Sequence, residues 1–63
     1  MDEIVKEIFK LAELIPSEIQ VRDVSNLLSI NTDSVSKTNM ISNYIGVFTP
    51  ATYVKLYKLL DKL

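Results

Sequence analysis

The sequence predicts an all-α fold, a small three- to four-helix bundle. Three observations lead there. The chain has 63 residues, which is room for one domain and three or four short helices. Its apolar residues recur at intervals of three and four, the helical period. Its single glycine and two prolines stand where helices stop or start rather than inside them. No repeat, low-complexity stretch or linker interrupts residues 1–63, which read as one domain.

The first helix is predicted over residues 2–15. Ile4, Val5, Ile8, Phe9, Leu11, Ala12 and Ile15 form its apolar stripe, Asp2 and Glu3 suit the positive end of the helix dipole, and Pro16 pushes the preceding residue out of helix. A second helix spans about 20–28 and buries Val24, Leu27 and Leu28. Ser17 and Gln20 have the spacing of a capping box. Alternatively, Ile19-Gln20-Val21 is an extended connector into a helix starting near Arg22. Residues 29–34, Ser-Ile-Asn-Thr-Asp-Ser, favour turns and caps. A third helix is predicted over about 32–45, with the stripe Val35, Thr38, Ile41 and Ile45. Its many Ser, Thr and Asn residues are weak helix formers, so a break near Thr38 is the alternative. Gly46 supplies a left-handed stop. The last helix, 50–62, opens with Thr49 as cap and Pro50 at the first helical position. Tyr53, Val54, Leu56, Tyr57, Leu60 and Leu63 form its apolar face, and Lys55, Lys58 and Lys62 a basic stripe expected to be a solvated side.

Composition narrows the chemistry. The chain has no cysteine and no histidine, which removes the commonest general base, metal ligand and thiol nucleophile. One glycine excludes a phosphate-cradling Gly-rich loop. Neither catalysis, a metal, a cofactor nor a small-molecule substrate is expected. A core this small is marginal, and with no disulfide or metal available, pairing into a homodimer is the expected reinforcement. The opening Met1-Asp2-Glu3 lacks the basic start of a signal peptide. The longest apolar runs, such as Tyr44-Ile45-Gly46-Val47-Phe48, fall far short of the ~20 residues that cross a bilayer. A cytoplasmic location without membrane contact is the expectation. Residues 1–20 carry five carboxylates against Lys6 and Lys10, whereas residues 21–63 carry five cations against three carboxylates. The back of the chain is thus mildly basic, which permits nucleic-acid binding without demanding it.

The stretch Arg22 to Lys37 resembles a helix-turn-helix DNA-binding unit. Val24, Leu28, Ile30 and Val35 occupy its inward positions, and Ser25 and Ser29 are small where the helices cross and turn. The run Ser34-Val35-Ser36-Lys37 is also similar to the start of the recognition helix in lactose-repressor-type headpieces, with Ser29 where glycine is usual and residues 49–63 placed like the family's third helix. The resemblance implies a dimeric regulator on double-stranded DNA, its recognition helix presenting Thr32, Asp33, Ser36, Lys37 and Asn39. Lys37 would reach guanine or phosphate, Asn39 adenine, and Asp33 cytosine. The amides of Thr32 to Ser34 would meet a phosphate, and Arg22 would clamp another.

A second function fits the same residues: a helical adaptor or inhibitor that binds a protein partner through apolar helix faces. The acidic isoelectric point of about 5.1 and the lone charge Lys37 between Ser34 and Ala51 favour it. Tyr44, Phe48, Tyr53 and Tyr57 are then core or interface residues rather than platforms for stacked bases. Surface charge separates the two expectations. A basic strip through Arg22, Lys37 and the C-terminal lysines suits DNA, and a neutral Ser/Asn face suits a protein.

Overall fold

The computed structural model describes residues 2–63 and contains four helices: α1 (Asp2–Leu11), α2 (Glu18–Leu28), α3 (Ser34–Ile45) and α4 (Pro50–Leu60). Among the described residues there is no strand.

Local chemistry sets each boundary. α1 stops four residues before the predicted end because its last turn closes a Schellman motif: Leu14 N–H donates to Phe9 O at 3.0 Å and Glu13 N–H to Lys10 O at 3.1 Å. Glu13 adopts φ +56° to make this turn, a left-handed position usually given to glycine. Pro16 therefore follows the stop rather than causing it. α2 begins at Glu18, two residues earlier than predicted, and the extended-connector alternative is not adopted. Gln20 N–H donates to Ser17 Oγ at 3.2 Å and Ser17 N–H to Gln20 Oε1 at 2.9 Å, so the capping box is complete. Ser29 closes α2 without strain at φ −83°, its hydroxyl donating to Asn26 O at 2.7 Å.

α3 begins two residues later than predicted, because Asp33 rather than an earlier residue is the cap: its carboxylate accepts from Ser36 N–H at 2.7 Å. The helix is continuous to Ile45. Thr38, the point of the alternative break, is fully buried and bonds back to Ser34 O at 2.6 Å, which keeps its hydroxyl satisfied inside the core. Gly46 ends α3 at φ +82°. Thr49 caps α4 by accepting from Thr52 N–H, with Pro50 in the first turn.

The helices form a ring in which each packs on its two neighbours: α1 on α2, α2 on α3, α3 on α4, and α4 back on α1. Val5, Ile8, Phe9, Val24, Leu28, Ile41, Leu56 and Leu60 fill the centre. Burying such a side chain stabilises the fold by about 1.5–3 kcal/mol. Several expected core positions lie outside. Ile15 is 98% exposed, because α1 has already ended. Val35, the second residue of α3, is 51% exposed, whereas Thr38 and Ile41 further along the helix are buried. Ile30, Val54 and Leu63 are likewise exposed, while Leu27 and Ile45 are half-buried. Among the described residues no helix is long and apolar enough to cross a membrane.

Candidate functional site

Two places gather functional side chains: the α2–turn–α3 unit and the seam between α1 and α4. The first holds the residues expected to read DNA. Thr32, Asp33, Ser34, Ser36 and Lys37 lie together at the entry of α3, Thr32 and Asp33 exposed, Ser34, Ser36 and Lys37 half-buried. Most already have local duties. Thr32 N–H donates to Ile30 O at 3.0 Å, so this amide is not offered to a phosphate. Asp33 is occupied as a cap. The backbone N–H of Ser36, then its side chain, hold the Asp33 carboxyl below its ordinary range, keeping a negative charge at the tip of the supposed recognition helix. Ser34 Oγ donates to Asp61 Oδ1 at 3.1 Å, tying the start of α3 to the end of α4.

Asn39, three residues after Ser36 on α3, and Arg22, on α2, each meet a side chain outside this cluster. Asn39 turns towards α4, where its Oδ1 accepts from Tyr53 OH at 2.6 Å. Arg22 lies on α2 with its Nη2 3.4 Å from Asp23 Oδ1. The other oxygen, Asp23 Oδ2, accepts from Tyr44 OH at 2.7 Å. That bond, ahead of slight desolvation and the charge of Asp23, raises the Tyr44 hydroxyl above its usual titration range. Two of the four inward positions of the helix-turn-helix pattern, Val24 and Leu28, are buried, and the other two, Ile30 and Val35, are exposed. The packing that would seat a recognition helix is thus half present.

Of the expected interface residues, Tyr44 is exposed, Tyr53 and Tyr57 are half-buried, and Phe48 packs against the core. Phe48 therefore supports the fold, and the neighbouring exposed Val47 is the apolar residue there that a partner could touch.

The second place was not legible from the sequence. Glu7, Lys10 and Leu11 of α1 face Lys55, Lys58 and Leu59 of α4 and the following Lys62 across an open groove of about 550 Å³. Both sides follow one rule: residues three and four apart share a helix face. Leu11 and Leu59 are half-buried against the core and form an apolar floor. Four lysines and one glutamate make the rim. Lys10 and Lys58 sit in the last turns of their helices, where the dipole favours cations. Among the described residues none of these lysines is in an ion pair. The Lys55–Lys58–Lys62 stripe was visible as a helix face. Its convergence with Lys10 depends on α1 packing on α4, for which the sequence carries no local signal.

Among the described residues no three His, Cys, Asp or Glu side chains gather as metal ligands. The groove sets four lysines and Glu7 around an apolar floor, a chemistry complementary to an anionic, amphipathic ligand. Comparison with known proteins finds no matching family model, no matching characterised protein and no matching solved structure.

Proposed function

We propose that this chain is a helical docking module that binds another protein. The observation that carries the reading is where the cations lie. The C-terminal lysines converge with Lys10 over Leu11 and Leu59, whereas Arg22 stands beside Asp23 and Lys37 shares the entry of α3 with Asp33. Asp23 and Asp33 thus offset the cations of the α2–turn–α3 unit, and affinity for duplex DNA rests on uncompensated basic surface. Pairing of two copies belongs to the same reading. Ile15 and Ile19, 98% and 62% exposed, stand close in sequence between and at the start of helices, and a chain this small gains stability by covering them.

A second reading, a DNA-binding regulator, is favoured by one observation: α2, the turn and α3 follow one another as in a helix-turn-helix, with polar Thr32, Asp33 and Ser36 at the entry of α3. One titration separates the two. In fluorescence polarisation with random duplex DNA at about 50 and 200 mM salt, a docking module gives no saturable binding. Micromolar binding that weakens several-fold with salt and falls in Lys37→Ala would replace it with the DNA reading. A pull-down then supplies the purified protein partner.

A further inference from the structure

The α1–α4 groove has a composition that selects its occupant. We propose that it seats an acidic amphipathic helix of the partner protein, an assignment that rests on the docking reading above. Three features support it.

The cations have a helical pitch. Lys55 and Lys58 lie three residues apart on α4, about 4.5 Å along its axis at 1.5 Å per residue, and Lys62 follows in the turn after Asp61, its N–H donating to Leu59 O at 3.4 Å. Carboxylates at i, i+3 or i+4, and i+7 on a second helix repeat at the same interval, so a helix laid along α4 meets all three ammonium groups. Lys10 reaches the same ligand from α1.

The floor is apolar. Leu11 and Leu59 are matched by a stripe of aliphatic side chains between the carboxylates, the arrangement of a helix docked in a groove. A phosphate backbone offers nothing to these leucines. A small anion would leave the floor uncovered.

A second copy of this chain does not supply the ligand. Its acidic helix is α1, and the apolar residues of α1, Val5, Ile8 and Phe9, are buried in its own core. The exposed Leu14, Ile15 and Ile19 beside Glu13 and Glu18 straddle the non-helical connection before α2 and form no continuous helical stripe.

The test uses the whole chain and a synthetic, fluorescein-labelled peptide of about four helical turns, with a leucine stripe flanked by glutamates. Polarisation at low salt is expected to give saturable, micromolar binding. Lys58→Glu with Lys62→Glu is expected to weaken it about 10-fold or more, and Gln in place of Glu in the peptide several-fold. Both lysines are exposed, and circular dichroism of the variant should match wild type. Absence of saturation up to about 1 mM peptide, or equal affinity in the charge-reversed chain, overturns the assignment. A purified natural partner that binds the charge-reversed chain as tightly as wild type overturns the acidic helix but leaves the docking reading standing. Salt-sensitive binding of duplex DNA that is lost in the same variant overturns both.

Discussion

The hydroxyl of Tyr53 on α4 donates to Asn39 Oδ1 on α3 across 2.6 Å, joining the first half of α4 to the middle of α3, while Ser34 and Asp61 tie the start of α3 to the end of α4. The residue that pattern matching assigns to an adenine is thus committed to its neighbour. Tyr53→Phe and Asn39→Ala are each expected to destabilise the domain by about 0.5–1 kcal/mol, the net value of one such bond. In a double-mutant cycle the second change should add almost nothing to the first. Fully additive losses in urea denaturation would mean the bond is not formed.

Glu13 makes the turn after α1 at φ +56°. A residue with a Cβ is strained there by roughly 1 kcal/mol, whereas glycine is not. Glu13→Gly should therefore stabilise the chain, by about 0.5 kcal/mol after the entropy of the more flexible unfolded chain is subtracted. Gly46, at φ +82° with open space around it, provides the mirror experiment: Gly46→Ala should destabilise by about 1 kcal/mol through the backbone alone. Thermal melts of the two variants should move in opposite directions.

Asp33 confers pH dependence with a definite sign. The N–H of Ser36 lowers its folded-state titration below the ordinary aspartate value of 3.8, so the unfolded chain takes up the proton first. The contribution is complete above the unfolded value and is lost as pH falls through the folded one. Asp33→Asn keeps a side-chain acceptor for the cap but does not titrate. Melting temperature followed from pH 7 down to about 2 should fall more steeply for wild type than for this variant below about pH 4. Parallel curves would show that the cap does not carry the charge effect.

Among the described residues Thr38 is the one fully buried polar side chain. Its hydroxyl bonds a carbonyl of its own helix, which the backbone N–H of residue 38 also serves in a regular α-helix. Thr38→Val should therefore change stability by less than about 1 kcal/mol. Its core neighbour Ile41, with 0% exposure, leaves a cavity when truncated, and Ile41→Ala should cost about 2–5 kcal/mol. For 63 residues, where about 3–9 kcal/mol is the typical total, that loss approaches unfolding. Chemical denaturation resolves both.

How much of this was legible depended on whether the signal was local. Ser17 with Gln20, and Thr49 with Pro50, announce helix starts because a cap acts within one turn. Gly46 announced a stop for the same reason. The apolar period located Val5, Ile8, Val24, Ile41 and Leu56 in the core. It failed at Val35 and Ile30, where the helix-turn-helix pattern counts spacing but packing decides which side faces inward. It failed at Ile15 because nothing in the composition of Glu13 marks a left-handed residue. The groove stayed hidden longest: Lys10 and Lys62 lie at opposite ends of the chain and share a site only once the ring is closed.

That ring also has an order of assembly. Three of its four seams join helices consecutive in sequence, across connections of four to six residues, and only the α1–α4 seam unites the two ends. Short connections close quickly and contacts local in sequence favour fast folding, so the α1–α4 seam is expected to close last and open first, which amide hydrogen exchange along α1 and α4 would check. A ligand lying across Leu11 and Leu59 binds over that line. Interactions made after the folding barrier is crossed slow unfolding more than they speed folding, and the occupied groove would lengthen the lifetime of the folded chain, a bolt on the last door to close.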